Sequence, residues 1–260
     1  QGAPEAAGLW CAVQEPPRDW ALKSCPEQGG SQIGVKVLTY NLFWWNLFDR
    51  RGGNQQSAGR LIARTAGTWG YDVMGFQECD DRWRVLRDAQ SAGLAGEYDA
   101  IDGGRALAIA YRKDRWSLLS QGSVEVGEDG KEQYYGVRSA QWVRLQHRSS
   151  GKTMFVVNHH GPLPIDSSGG CTGAATALNI ERLIAEHAHT RDAIALLGDF
   201  NAHPSSSRIR ELDRRLPRVI SGRAMGGVDH IFSNCGIWLS GRNLGKGGSD
   251  HDALSFRLRI

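Results

Sequence analysis

The feature that most constrains this chain is a series of short apolar segments, each of strand length, with few helices between them. Strands are predicted at Val35–Leu42, Asp72–Gln77, Ala106–Arg112, Gln141–Gln146, Thr153–His159, Ala193–Leu197, Val228–Phe232 and Leu254–Ile260. Helices are predicted at Gln55–Trp69, Asp81–Gln90, Ala174–His189 and Ser205–Arg214. Because consecutive strands often lack a helix between them, the pattern favours mixed α+β layering over a parallel doubly wound sheet.

The first 31 residues differ in character from the rest. They hold Pro16, Pro17 and Pro26 and end near a Gly29-Gly30 pair, which are loop and turn signals. We therefore predict an N-terminal extension at 1–31 and one main domain at 32–260.

The five cysteines include two in this extension. A disulfide between Cys11 and Cys25 would pin a segment that cannot bury a core of its own, whereas the alternative is two ordinary thiols. The odd count leaves at least one thiol free or paired between chains, and the sequence does not set the pairing of Cys79, Cys171 and Cys235. The chain also begins at Gln1 and not at Met, which suggests processing. These observations together predict a secreted protein or one in an organellar lumen.

The net charge of +3 is compatible with binding phosphates but is small for a dedicated nucleic-acid-binding protein. No apolar run approaches the roughly 20 residues that a membrane helix needs, so no transmembrane segment is predicted. The sequence does not indicate an oligomeric state.

Polar residues follow the apolar segments, at the strand ends where open sheets place their sites. Asn41 ends the first strand, and its carbonyl oxygen suits a hard cation, although a turn-forming role is equally ordinary. Glu78 follows the second strand, where a carboxylate is costly unless it is paired or metal-bound. His159 and His160 are adjacent, so only one of them can face a given site.

Two further motifs are more specific. Asp199 and Asn201 lie two residues apart in Gly-Asp-Phe-Asn, after a fully apolar strand. Asp250 and His251 in Ser-Asp-His follow Asp229 in Val-Asp-His-Ile, and an acid near an imidazole makes an oriented base. Each motif has a structural alternative, but all of them occur in order at strand ends.

The order Tyr-Asn-Leu, Gln-Glu, Asn-x-His, Gly-Asp-Phe-Asn, Val-Asp-His-Ile and Ser-Asp-His resembles the endonuclease/exonuclease/phosphatase superfamily, from Ile33 to Ile260. The resemblance implies a DNase I-like fold of the α+β class, which is a four-layer α/β sandwich with two central mixed β-sheets. It also implies a phosphoesterase that depends on Mg²⁺, with Mn²⁺ or Ca²⁺ as alternatives.

The resemblance assigns a role to each matched position. Asn41, Glu78 and Asp250 match metal-site residues. The catalytic set matches a phosphate-contacting histidine, a pair that positions water and phosphate, and an acid that orients a terminal histidine: His160, Asp199, Asn201, Asp229 and His251. No Ser- or Cys-centred nucleophile motif is present, so direct attack by water is the simpler mechanism.

Arg138 matches more loosely a position that contacts substrate phosphate in some members. Tyr111 falls where some members hold an active-site aromatic that serves the substrate phosphate, and the alternative is an ordinary core position. Two departures argue against an inositol phosphatase. Leu196 stands where the signature of the inositol phosphatases has a Trp, and His203 stands where it has an Arg. The general base, Asp199 or His251, is left open.

Three functions therefore compete. The first is a DNase I-like endonuclease with nucleic acid as substrate. The second is a sphingomyelinase-type phospholipase C, or another phosphatase of this superfamily; for the phospholipase, the aromatic run 43–48 would contact phospholipid if it is exposed. The third is a non-catalytic binding protein on this fold, which is disfavoured because every expected catalytic residue type is present.

Overall fold

The computed structural model describes residues 11, 25–43, 57–171, 174–235 and 237–260. Within them lie four α-helices: α1 (Ser57–Ala66), α2 (Arg82–Ser91), α3 (Ala175–His187) and α4 (Ser207–Arg215). The same residues form twelve strands: β1 (Gly34–Asn41), β2 (Val73–Gln77), β3 (Tyr98–Gly104), β4 (Leu107–Arg112), β5 (Trp116–Glu128), β6 (Val137–His147), β7 (Thr153–His160), β8 (Ala193–Asp199), β9 (Arg218–Ser221), β10 (Asp229–Ser233), β11 (Ile237–Asn243) and β12 (Leu254–Arg259).

The strands form two six-stranded sheets. The first sheet has the order β11-β12-β1-β2-β4-β3, and the second has the order β5-β6-β7-β8-β10-β9. Each sheet contains one parallel pair, β1 with β2 and β7 with β8, among antiparallel neighbours. Both sheets are therefore mixed.

Three apolar layers hold the sheets and helices together. Between the sheets, Val37 and Val73 pack in one cluster with Val156 and Leu197. The helices α1 and α2 cover the outer face of the first sheet, and α3 and α4 cover that of the second. The predicted α+β class and four-layer sandwich with two central mixed sheets are confirmed.

The two parallel pairs position the candidate site. Asn41 pairs with Gln77 at the end of β1 and β2, and His160 pairs with Asp199 at the end of β7 and β8. A buried contact ties the two pairs together, because the Gln77 side-chain nitrogen donates to Asn158 Oδ1 at 2.6 Å. The carboxyl ends of the central strands in both sheets therefore meet at one edge of the sandwich.

The sheets approach each other closely at Gly75 on β2. A Cβ atom there would lie 2.1 Å from Leu197 Cδ1, closer than real Cβ atoms come to any neighbour. The glycine lets β2 and β8 pack face to face beside the site.

Helix α2 begins as the sequence predicts. The Asp81 carboxylate accepts from the backbone N–H groups of Trp83 and Arg84, which have no partner inside the helix. The four predicted helices are all present, with the ends of the described parts lying within a few residues of those predicted.

The disulfide predicted between Cys11 and Cys25 is wrong. Cys11 bonds to Cys171 and Cys25 bonds to Cys235, while the Cys79 thiol is free and buried. Both bonds join the N-terminal extension to distant loops of the main domain, across 160 and 210 residues of sequence. Spacing along the chain does not reveal such partners. The extension remains a prediction, since residues 1–10 and 12–24 lie outside the described part.

We expect a non-reducing digest to contain two cross-linked peptides, Cys11 with Cys171 and Cys25 with Cys235. Removing the second bond, through Cys25→Ser with Cys235→Ser, should lower the free energy of unfolding by about 2–5 kcal/mol, because the bond closes a long loop. Denaturant titration measures the loss. A peptide linking Cys11 to Cys25 would contradict the arrangement.

No helix among the described residues is long and apolar enough to cross a membrane. Of the aromatic run 43–48, only Phe43 lies within the described residues.

Candidate active site

An amide and two carboxylates meet where three strands end. Asn41 ends β1, Asp199 ends β8, and Glu78 directly follows β2. The Asn41 amide nitrogen donates to Glu78 Oε1 at 3.1 Å and to Asp199 Oδ2 at 2.9 Å. Its oxygen accepts from the Phe43 backbone N–H at 2.9 Å. The Asn41 amide thus holds two carboxylates close together, and the metal-ligand role predicted for its oxygen stays a prediction.

His251 is oriented by a buried acid. Its Nδ1 lies 3.1 Å from both carboxylate oxygens of Asp229, the first residue of β10. The opposite ring nitrogen, Nε2, faces the site, 3.6 Å from Asp199 Oδ2 and 4.0 Å from Asp250 Oδ1. Asp229 therefore fixes the imidazole so that one nitrogen is available to the cleft.

His160 is oriented by an arginine. Arg138 makes two hydrogen bonds to the buried Asp129 carboxylate, at 2.7 and 2.9 Å, and its third nitrogen lies 3.3 Å from His160 Nδ1. Because a guanidinium can only donate, Nδ1 accepts and Nε2 bears the ring proton. That Nε2 faces Asp199 Oδ2 at 3.4 Å and Glu78 Oε1 at 3.9 Å.

Asn201 locks two loops at the edge of the site. Its backbone N–H donates to Asp199 Oδ1 and its side-chain nitrogen donates to the Gly161 carbonyl, both at 2.9 Å. A Cβ on Gly161 would lie 2.0 Å from the Phe200 carbonyl oxygen, so the strand exit at 161 needs glycine. The Asn201 carbonyl in turn accepts from the Asp166 N–H at 2.9 Å.

Burial and charge shift the titration of these groups. Burial lowers the pKa of His160 to about 4, so its imidazole is neutral at neutral pH. Burial also acts to lower the pKa of His251, but the charges of Asp199 and Asp229 outweigh it and raise that pKa to about 10. Burial raises the pKa of Glu78 despite its hydrogen bond from Asn41. For Asp199, burial is outweighed by the charge of His251, so its pKa is lowered.

One group of side chains among the described residues could hold a metal ion. Ligand atoms of Glu78, Asp199 and His251 lie within 4.8 Å of one another. Asp250 lies beside this group, with 34% of its side chain exposed. Of the predicted metal set of Asn41, Glu78 and Asp250, this group contains Glu78 alone, and its other two members, Asp199 and His251, are residues predicted to be catalytic. The metal set stays a prediction.

These side chains line a cleft of about 540 Å³. Its polar floor includes Glu78, His160, Asp199, Asn201, Asp250 and His251, and its apolar wall includes Phe43, Leu107, Val137, Leu163 and Ile165. Tyr135 and Met225 lie at the mouth with 75% and 47% of their surfaces exposed, and Arg105 lies there too. Asn41 and Asp229 are buried beneath the floor and contact it.

Tyr111 does not line the cleft, and the structure favours the alternative core position over the substrate role. It pairs with Val73 at the start of β2, whereas Glu78 follows the end of that strand. The Tyr111 side chain packs in the core between the sheets, and its hydroxyl contacts Asp99 at 3.3 Å. Since β4 runs antiparallel to β2, its C-terminal end points away from the cleft.

His159 faces the opposite side of the sheet from His160, as alternation along a strand requires. It is buried, its Nδ1 lies 3.0 Å from the Ser139 carbonyl, and its ring packs edge-on against Phe200. Of the two adjacent histidines, His160 alone is in the cleft.

The sequence patterns do not indicate several residues that the structure places here. Asp129 holds Arg138, and Tyr135 lies at the mouth beside Arg105, which the sequence does offer as one of several cations for a phosphate backbone. Asp129 follows β5 and Arg138 is the second residue of β6, so recognising that hairpin would have brought the acid and the arginine together.

The family model described as "Endonuclease/Exonuclease/phosphatase family" matches residues 43–251. The chain therefore belongs to this family, which is a superfamily of hydrolytic phosphoesterases. A comparison with curated proteins finds none that matches.

Three solved structures show the same fold at low sequence identity. An endonuclease/exonuclease/phosphatase from Bacteroides vulgatus is 21% identical, with 87% of this chain and 98% of that chain covered and a TM-score of 0.64. A mannosyl-6-phosphatase from Bacteroides thetaiotaomicron is 19% identical, with 87% and 99% covered and a TM-score of 0.61. TDP2 from D. rerio, complexed with single-strand DNA product, is 14% identical, with 87% and 99% covered and a TM-score of 0.59.

Proposed function

We propose that this protein is a divalent-metal-dependent phosphodiesterase that cleaves nucleic acid as an endonuclease, by direct attack of water on phosphorus. The main support is the cluster of Glu78, Asp199 and His251, whose ligand atoms lie within 4.8 Å of one another on the floor of a cleft. Two neighbouring carboxylates in such a place repel each other, and a bound cation relieves that repulsion.

The donor set fits a hard cation such as Mg²⁺, or Mn²⁺ or Ca²⁺. Glu78 and Asp199 supply carboxylate oxygens, with Asp250 beside them, and Mg²⁺ is usually held by one or two carboxylates together with water. When bound, the cation neutralises charge on the phosphate and on the leaving oxygen.

The protein side chains supply the remaining chemistry. His160 donates its Nε2 proton to a phosphate oxygen, where charge develops in the transition state. Arg138 keeps His160 in the required tautomer. The Asp199 carboxylate can accept the proton of the attacking water. His251 Nε2 lies 3.6 Å away, and with a pKa of about 10 this imidazole is protonated at neutral pH, so it donates to a phosphate oxygen in that state and acts as a base only after losing the proton. Asn201 shapes the loop that borders them.

The cleft mouth favours nucleic acid over a phospholipid. The exposed Tyr135 ring offers a stacking surface for a base, and Arg105 offers a charge for a neighbouring phosphate. The aromatic run that motivates phospholipid as substrate lies, apart from Phe43, outside the described residues. TDP2, which shares the fold, was solved with a single-strand DNA product.

A phosphatase acting on a small phosphoester is the second candidate. The cleft is bounded by an apolar wall and encloses about 540 Å³, which suits a small molecule as well as one nucleotide unit. A mannosyl-6-phosphatase also shares the fold.

The disulfides support an oxidising compartment. Two disulfides are typical of secreted or lumenal proteins and rare in the cytosol. We therefore propose that this enzyme acts outside the cell or in an organellar lumen.

Parallel assays test the function. Supercoiled plasmid, a small sugar phosphate and sphingomyelin are incubated with the protein, each with Mg²⁺ and with excess EDTA. We expect nicked plasmid only with Mg²⁺. Release of inorganic phosphate from the sugar phosphate alone would establish the phosphatase instead, and no turnover in any arm would favour a binding protein.

Glu78→Gln should raise the Mg²⁺ concentration that gives half-maximal activity by about tenfold or more, because one ligand charge is lost. A titration of activity against Mg²⁺ measures this shift. Glu97→Gln is the matched control, since Glu97 is exposed and pairs only loosely with Lys113, at 3.7 Å. If the two variants need the same Mg²⁺ concentration for half-maximal activity, then Glu78 does not bind the metal.

A further inference from the structure

A second cavity lies on the outer face of the first sheet, away from the cleft. Three cations line it: Lys36 on β1, Arg242 on β11 and Arg257 on β12. Lys36 is five residues before Asn41, so about 16 Å of strand separates it from the active-site edge. The cavity encloses about 240 Å³.

The three positive charges are not neutralised by the described residues around them. The nearby Asp72 is already engaged, since its Oδ1 accepts from Arg115 at 2.8 Å and its Oδ2 accepts from the Lys36 backbone N–H at 2.7 Å. The Lys36 ammonium donates to carbonyl oxygens at the end of α1, at 2.5 and 2.8 Å. Arg242 and Arg257 have no ion pair within the described part of the chain and are exposed.

This arrangement has a cost in the unliganded protein. Lys36 and Arg257 are directly opposite each other on neighbouring strands, and like charges in that position destabilise a sheet. Burial, together with Arg257 and Arg242, lowers the pKa of Lys36 to about 8. An anion bound between the three side chains would turn this repulsion into attraction.

The cavity continues into a neighbouring groove. A further cavity of about 340 Å³ shares Lys36 and Arg257 with it and reaches Trp69, whose surface is 74% exposed. Arg112 and Arg115 also line this part, but each is paired with an acid. The free charges are thus those of Arg242 and Arg257, with an exposed indole beside them.

We propose that this groove, lined by Arg242, Lys36, Arg257 and Trp69, binds a single strand of nucleic acid at a second site. Cations that follow a backbone, with an aromatic ring on which a base stacks, are the features that bind single strands without sequence preference. The concave shape favours a strand over a lipid surface. Binding here does not depend on the proposed hydrolysis.

The test is binding of a fluorescein-labelled thymidine decamer, followed by anisotropy in EDTA. Every protein includes His251→Ala, so that the strand stays intact. Arg242→Gln with Arg257→Gln should weaken binding about tenfold or more, and should reduce the slope of log affinity against log salt by about 1.4, or 0.7 for each lost phosphate contact. Trp69→Ala should weaken binding about fivefold or more, through lost stacking.

Matched controls separate a site from general charge. Arg191→Gln with Arg210→Gln makes the same charge change at exposed arginines outside the groove, and Trp83→Ala removes another exposed indole. Both controls should stay within about twofold of the parent. Thermal melting should show no loss of stability in the groove variants, because Arg257→Gln removes a repulsion.

Four outcomes would overturn the proposal, of which three concern binding of the decamer itself. They are no binding of the decamer by the parent, unchanged binding in the groove variants, and equal losses in groove and control variants. The proposal would also be overturned if millimolar inorganic phosphate displaced the decamer and Trp69→Ala bound the decamer as tightly as the parent does, because the pocket would then bind the free ion. Since hydrolysis is not measured, failure of the proposed nuclease activity leaves this result readable.

Discussion

Replacing His251 with alanine is expected to lower turnover by about 10²–10⁴-fold, the usual contribution of a positioned proton-transfer group. The His251 imidazole is held by Asp229, with Nδ1 3.1 Å from both carboxylate oxygens, and presents Nε2 to the cleft. The substitution removes the imidazole ring but leaves the Asp199 and Asp229 carboxylates in place. Steady-state kinetics on the substrate found by the parallel assays measures the loss.

Asp229→Asn should cost less than His251→Ala, because the imidazole remains but loses the charge that orients it. The double variant should be little worse than His251→Ala alone, since residues that act as a unit are not additive. His187→Ala is the control, because His187 stacks on Trp142, outside the cleft, and should leave turnover unchanged. If the two single losses multiply in the double variant, then His251 and Asp229 work independently and the paired interpretation is wrong.

The predicted strands and the strands that were missed occupy different positions in the sheets. All eight predicted strands lie inside a sheet, whereas the four that were not predicted, β3, β5, β9 and β11, are the four edge strands. An interior strand between two neighbours and two layers shows either a continuous apolar run, as β8 does, or an alternation of apolar and polar residues, as β6 does. An edge strand such as β5 is largely exposed along its middle, so it has no apolar pattern to detect.

The difference between interior and edge strands also explains which residues of the site could be predicted. Glu78, His160 and Asp199 terminate or follow interior strands and were predicted from that position. Asp129 lies in a turn after an edge strand, and only the hairpin brings it to Arg138. The sequence of a single strand also does not show in which direction the strand runs within its sheet, although that direction decides which end of the strand faces the cleft.

Long-range covalent partners are equally invisible. Cys25 and Cys235 are 210 residues apart, and only the folded domain brings Cys25 to the loop between β10 and β11. Cys11 with Cys171 has the same cause. Nearness in sequence made Cys11 and Cys25 the simpler pair, but the folded domain supplies each with a closer partner.

Asp199→Asn is expected to lower turnover by about 10²-fold or more with the fold intact. The Asp199 carboxylate lies at the centre of the site, where it accepts from Asn41 and from the Asn201 backbone and faces the Nε2 atoms of His160 and His251. An amide keeps the shape but loses the negative charge that attracts a cation and can accept a proton from water. Activity at saturating Mg²⁺ measures the chemical step.

The other end of the same strand supplies the matched control. Asp192 immediately precedes β8, is also buried, and forms two hydrogen bonds with Arg144, at 2.8 and 3.0 Å. Asp192→Asn should lower the free energy of unfolding by about 3 kcal/mol, because it leaves a largely buried guanidinium without its partner. Well below the melting temperature, it should leave turnover close to that of the parent.

Together the two variants separate chemistry from folding along one strand. Both replace a buried aspartate by asparagine, so they match in size and in lost charge, but Asp199 ends β8 beside the cleft whereas Asp192 lies directly before β8 and pairs with Arg144. Denaturant titration and steady-state kinetics on both proteins give the comparison. Two results would show that the reaction does not occur at the carboxyl end of β8. In the first, the lost turnover of Asp199→Asn is fully explained by its lost free energy of unfolding. In the second, Asp192→Asn loses turnover while it is still folded.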